Sequence, residues 1–305
     1  MSEDRQPTRP ALADLGSLAI CSLIWGTTWR AIKLQVGVVP AFDSVVYRFA
    51  LASALLFAWR LVSRRRIALT RPQHLAVLCQ GACGFTLQYS MVYLAEERVS
   101  SGAMAVIFSA VAFINLVLFR LALNQRASPL AWTGALLGLA GVGAMSWSEV
   151  ALEGGRAGGG IGVLFALAGV AASVFGNFYA HKAQSLNVET VPGTAWAMGY
   201  GAALLALFVL ITGKPWGFEL TTRYVGALAY LAVFGSVVAF VTFYGLARRR
   251  GYGFASYVAA LTPPTAMAIS WVFEGTRWGL AAFCGLALVL AGQVLLIRGS
   301  RVQAA

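Results

Sequence analysis

Gln80, Gly84 and Gln88 recur at i, i+4 and i+8, which places two amides and a gap on one face of a helix. An amide both donates and accepts hydrogen bonds, so it can hold a polar group without demanding a charge. Asn115, Asn177, Ser236 and Thr242 add polar side chains inside other apolar runs. One by one, such groups suit interhelical hydrogen bonds worth about 0.6 kcal/mol each. As a set distributed over several runs they suit a polar cavity. Trp25, Tyr89, Phe175, Phe234 and Tyr257 are aromatics in the same runs, able to stack on a flat or apolar molecule. With Thr28, Gln88, Asn115, Asn177 and Arg30 they form the candidate binding set.

Two readings stand for Arg30. Its guanidinium can hold a carboxylate bidentately, or it can snorkel to an interface beside Lys33. Arg48 is read as structural. Gly26, Gly176 and the pair Pro263-Pro264 are the candidate hinges. Each proline removes a backbone hydrogen bond and bends a helix.

The missing chemistry is equally informative. No Asp or Glu lies deep inside an apolar run: Asp14 and Asp43 sit at ends, and Glu96, Glu97, Glu149 and Glu274 at edges. A proton pump or cation carrier commonly keeps a buried carboxylate. Passive transport or exchange is therefore preferred over proton coupling. His74 and His181 are the only histidines, and no HExxH motif or deep carboxylate pair is present. Neither an intramembrane enzyme nor a cofactor or metal site is expected. Cys21, Cys79, Cys83 and Cys284 read as small buried side chains.

What must position these residues is a bilayer-spanning bundle. Of 305 residues, 59% are hydrophobic and only 11% charged, against about 25% charged in soluble domains. Apolar runs long enough to span a membrane fall at 12–36, 44–62, 74–95, 101–121, 129–147, 160–181, 194–212, 223–246, 254–273 and 278–297. Strict alternation, as a barrel would need, is absent. The net charge of +12 is spread in bursts between these runs, where topology determinants belong, and not on one basic face for nucleic acid. With the N-terminus placed in the cytoplasm, fifteen Lys and Arg fall inside and eight outside, including Arg64-Arg65-Arg66 and Arg248-Arg249-Arg250 inside. Both termini are then cytoplasmic.

A shift of about 150 residues brings IWGTTW (24–29) onto VFGNFY (174–179) and GALLGLAGVG (134–143) onto GLALVLAGQV (285–294). Each repeat holds five helices. Because five is odd, the second repeat enters the membrane from the opposite side, an architecture associated with alternating access around a midplane site. The expected layout is a tail (1–11), a first five-helix repeat (12–147), an outer loop (148–159), a second repeat (160–298) and a C-terminal tail (299–305).

The chain resembles the ten-helix EamA-type branch of the drug/metabolite transporter superfamily. The resemblance rests on IWGTTWRAIK (24–33), VVYRFALAS (45–53), SSGAMAVIFSAVAF (100–113), NQRASPLAWTGALLGLAGVGAM (124–145), ASYVAALTPPTAMAISWVFEGTRW (255–278) and GLALVLAGQVLL (285–296). It departs at Asn124-Gln125-Arg126, where the family usually shows a Gly-Glu-Arg-like turn, and near Val111, where a proline is usual. The resemblance implies a central cavity between helices one, three, four, six, eight and nine. It also implies export of amino acids or similar neutral or zwitterionic metabolites from the inner membrane, closest in look to the aromatic amino-acid exporters. A proton-coupled multidrug exporter is the alternative. The expected partners are a small-molecule substrate and the bilayer, with no nucleic acid, in a monomer or weak homodimer.

Overall fold

The computed structural model describes residues 12–37, 39–123, 128–152, 159–255 and 257–302. The turn at 124–126, half of the expected outer loop (153–158), the N-terminal tail and the last three residues (303–305) lie outside the described residues, while helix covers 148–152 and 299–302. All regular structure among the described residues is helical, with one helical rod on each of the ten expected runs. These are α1 (Leu12–Lys33), α2 (Ala41–Val62), α3 (Arg71–Glu96), α4 (101–123), α5 (Pro129–Leu152), α6 (Gly159–Ser185), α7 (Thr190–Ile211), α8 (222–255), α9 (Tyr257–Glu274) and α10 (Leu280–Val302). Six of them are long and apolar enough to cross a bilayer by length and composition alone. Large apolar side chains such as Leu204, Leu207, Phe208 and Leu210 face outward, as a surface solvated by lipid requires.

The two halves pack on each other more than on themselves. α5 lies antiparallel against α10, and glycines set the crossing. A Cβ on Gly134 would meet the Gly292 carbonyl at 2.6 Å, and a Cβ on Gly141 would meet the Gly285 carbonyl at 2.6 Å. Gly134 and Gly141 correspond to Gly285 and Gly292 in the repeat, so each contact is the image of the other under a two-fold exchange of the halves. α2 lies antiparallel on α7, where Ser53 Oγ donates to the Ala195 carbonyl at 2.9 Å. α3 of the first half packs on α6 of the second, and α8 of the second packs on α1 of the first. This cross-packing is the geometry of an inverted repeat.

Three features of the helices escape periodicity. α3 contains a π-helical turn at Ala82–Leu87 and α8 contains one at Leu231–Val238, at matching places in the two repeats. α4 is interrupted at Ser109, whose hydroxyl bonds back to the Val106 carbonyl while its own carbonyl accepts from Gln293 Nε2. α8 also outlasts its expected end at 246. Arginine is a good helix former, and the helical conformation persists through Arg248-Arg249-Arg250 until Gly251, at φ +80°.

The repeat register differs from the one the sequence implied. Aligning Gly26 with Gly176 pairs Trp25 with Phe175. In the structure Gly176 crosses Gly84 in the π turn of α3, whereas the residue of α1 against the matching Gly235 in the π turn of α8 is Thr28. Gly26 instead faces Thr265 of α9. Thr28, not Gly26, is the structural counterpart of Gly176, so Trp25 corresponds to Ser173.

Candidate substrate cavity

A cavity of about 140 Å³ lies at the centre of the bundle. It is walled by α1, α3, α4, α6, α8 and α9. The corrected register is visible in its lining: α1 offers Trp25, Thr28 and Trp29, and α6 offers Ser173, Gly176 and Asn177. Both sets have i, i+3, i+4 spacing, one face of each helix.

Of the residues singled out from sequence, Trp25, Thr28, Gln88, Tyr89, Asn115, Gly176 and Asn177 lie on this cavity. Arg30, Phe175, Phe234, Tyr257, Gly26, Pro263 and Pro264 do not. Phe175 is 49% exposed on the outside of α6, and Phe234 is 48% exposed and stacked on Tyr230. Tyr257 packs on Phe254. Arg30 is partly exposed. Gln80 does not share the cavity with Gly84 and Gln88. It borders a separate void of about 20 Å³ that also touches Gln184, Thr194 and Tyr244. The π turn between Gln80 and Gln88 breaks the i+4 register on which the shared face depended. The prolines lie within α9, Pro263 buried and Pro264 exposed. Pro263 cannot donate to the carbonyl four residues back, which belongs to Ala259, a residue of the cavity wall.

The sequence reading missed much of the aromatic lining. Trp29 packs on Phe108 at 5.1 Å between ring centres, and Trp25 packs on Phe240 and on Phe243 at 5.2 Å each. Tyr244 and Tyr252 also line the cavity. Trp29 carries a usable signal, being one helical turn beyond Trp25. Phe240, Phe243 and Tyr244 lie beyond the π turn of α8, which rotates every later side chain relative to an α-helical projection from Phe234.

Among the described residues, no Asp, Glu, Lys, Arg or His lines the cavity. Its polarity comes from amides, hydroxyls and indole nitrogens. Two of those atoms are buried with no hydrogen-bond partner: Trp29 Nε1, a donor, and Asn115 Oδ1, an acceptor. A buried unpaired polar atom costs about 1–3 kcal/mol, which a polar ligand or a water would offset.

Ion pairs and capping bonds lie at the two ends of the bundle. At the end where α1 starts, Asp14 meets Arg250 at 2.7 Å and Arg249 at 3.4 Å, tying α1 to the end of α8. At that end Arg60 also meets Glu189 at 2.9 Å. At the other end Lys33 Nζ donates to the Glu96 and Val99 carbonyls, capping the C-terminus of α3. Glu96 itself, read from sequence as an edge residue, is fully buried, and Ser101 Oγ donates to it at 3.3 Å.

This architecture is shared with known proteins. The EamA-like transporter family model matches residues 15–147 and 160–298, one match per half. The chain is 26% identical over 292 residues to the uncharacterized inner membrane transporter YedA of Escherichia coli, covering 95% of this chain and 92% of that one. It is 30% identical over 233 residues to an uncharacterized transporter of Archaeoglobus fulgidus, covering 74% and 77% of the two chains. A solved crystal structure superposes with a TM-score of 0.68 at 20% identity, over 95% of this chain and 98% of that one, a likeness of fold. With a family match in each half and an all-helical, multi-pass architecture, the chain belongs to the EamA-like transporter family.

Proposed function

We propose that this transporter exports amino acids or similar small neutral or zwitterionic metabolites by alternating access. The observation that carries the reading is the central cavity, aromatic and amide-lined and free of charged side chains among the described residues. Stacked rings suit a flat or apolar side chain, as in the aromatic amino acids. Gln88, Asn115 and Asn177 suit polar groups that carry no net charge between them. With no carboxylate on the wall, uniport or exchange needs no proton site there. The protein resides in the inner membrane with both termini cytoplasmic, in line with the Lys and Arg asymmetry and with its likeness to the inner membrane transporter YedA. The isologous α5–α10 and α2–α7 contacts lie within one chain, and a monomer suffices to build the cavity.

Glu96 favours a second reading. A fully buried carboxylate at the end of α3 is a group that a proton-coupled exporter would use. One assay separates the two. Purified protein in liposomes should release preloaded phenylalanine, methionine or threonine with no pH gradient. Strict dependence on an imposed gradient rejects uniport and selects the proton-coupled reading.

A further inference from the structure

The cavity wall is uncharged, yet a full positive charge lies directly behind it. Arg48 of α2 is 1% exposed. Its Nε donates to Ser236 Oγ at 2.9 Å and its Nη2 to the Gly235 carbonyl at 3.4 Å. The guanidinium carbon lies 4.5 Å from the centre of the Tyr89 ring and 5.1 Å from that of Phe49. Nη1 is buried with no hydrogen-bond partner. Among the described residues, no carboxylate forms an ion pair with it.

An unpaired ion in a low-dielectric interior is costly even after relaxation. Charged side chains at membrane depth are normally paired, or face a path for a charged species. The two hydrogen bonds to α8 and the two aromatic faces reduce the cost without neutralising the charge. Tyr89 is the partition: one side of its surroundings is the guanidinium and the other is the cavity. Trp25, also on the cavity wall, donates to the same Gly235 carbonyl at 3.4 Å. The charge is thus one ring away from the cavity, where Coulomb attraction is several times that in water.

We infer that Arg48 is the counter-charge for an anionic group, a carboxylate, on the transported molecule, held at the Tyr89 wall. The inference rests on the transport reading above and deepens it by naming the charged end of the substrate. It gives Arg48 the role for which Arg30 was the sequence candidate. The charge acts through the Tyr89 ring, and the aromatic and amide surfaces of the cavity receive the rest of the molecule.

The test uses pairs in which a carboxylate is exchanged for the near-isosteric neutral carboxamide: phenylalanine and phenylalaninamide, leucine and leucinamide, nicotinate and nicotinamide, benzoate and benzamide. Binding to the full-length protein is read by tryptophan fluorescence and thermal shift, and transport by counterflow in liposomes. The wild type should bind the carboxylate of at least one pair tenfold or more tighter than its amide. Arg48→Gln should abolish that ratio by weakening the carboxylate alone, and Arg30→Gln should keep it. Should Arg48→Gln fail to fold, Arg48→Met repeats the comparison, and the wild-type ratio still decides. The inference is overturned if the wild type shows no carboxylate preference or if the preference survives loss of Arg48. Amides or amines carried in place of carboxylates would overturn it while leaving the transporter reading standing. Binding and transport of no member of the panel would overturn both.

Discussion

Trp25 and Arg48 donate to one and the same acceptor, the carbonyl of Gly235, each at 3.4 Å. The acceptor lies within the π turn of α8, where the regular i to i−4 ladder is broken and carbonyls seek other donors. A residue of the cavity wall and a buried cation are thereby tied to the same irregular turn. Trp25→Phe keeps a ring on Phe240 and Phe243 but removes the donor. It should fold normally, with a loss near 0.6 kcal/mol, and should retain most transport. Trp25→Ala also removes the ring and should raise KM about tenfold or more at similar membrane levels. Equal kinetics for wild type and Trp25→Ala would remove Trp25 from the site.

The approach of α3 to α6 tolerates no side chain. A Cβ on Gly176 would come to 2.7 Å from Gly84 Cα. Gly176→Leu should therefore displace the two helices and lower the melting temperature, with a cost of about 1–3 kcal/mol or more by overpacking. Gly16, which has open space around it in α1, is the control: Gly16→Ala should leave melting unchanged or raise it slightly in a thermal-shift assay.

Asn115 has an acceptor to spare on the cavity. Asn115→Ala removes the unpaired Oδ1 and should leave the protein as stable as before or slightly more so. Transport should weaken by about 1 kcal/mol, roughly fivefold in KM, the scale of one hydrogen bond. A stability loss of several kcal/mol in chemical denaturation would show instead that the amide holds the bundle together.

Gln88→Glu introduces a negative charge into a wall that has none among the described residues. Uptake of quaternary amines should appear, and uptake of zwitterions should fall about tenfold. Unchanged selectivity in a liposome panel would mean that Gln88 does not meet the substrate.

Asp14 links the start of α1 to Arg249 and Arg250. Asp14→Asn removes the negative partner of both arginines, and the end of α8 should loosen. A cysteine placed at Tyr252, on the cavity wall near this end, should then react with a polar maleimide several times faster. An unchanged rate would assign the closure of this end to other contacts.

The sequence made the ten rods legible because span length and breaker residues are local signals. The five-helix period followed from the internal similarity at a shift of about 150 residues. The binding wall was legible where the helices stay α-helical: Trp25, Thr28, Asn115 and Asn177 fall on it, and Trp29 follows from Trp25 by one turn. It was not legible across π turns. Gln80 was read onto the cavity by uninterrupted helical periodicity and lies just before the π turn of α3, and Phe234, read there as an aromatic inside an apolar run, lies within the π turn of α8. Phe175 was lost for another reason. A glycine match between Gly26 and Gly176 set the repeat register two residues off, since glycines recur for close packing in many membrane helices. Arg48 was read as structural because charge alone, without its missing partner, does not distinguish a support from a site.

The cross-packing of the halves has a consequence for how the chain is made. α3 finds its partner in α6, α5 in α10 and α2 in α7, so the first five helices leave the ribosome with their contact faces uncovered. Each must wait in the lipid until its partner is inserted, α3 for α6, α2 for α7 and α5 for the last helix, α10. Assembly of the first half is therefore completed only as the second half is inserted. Two half-length chains made separately in the same cell, split within 153–158, should find each other and restore the complete bundle, while either half alone should be degraded.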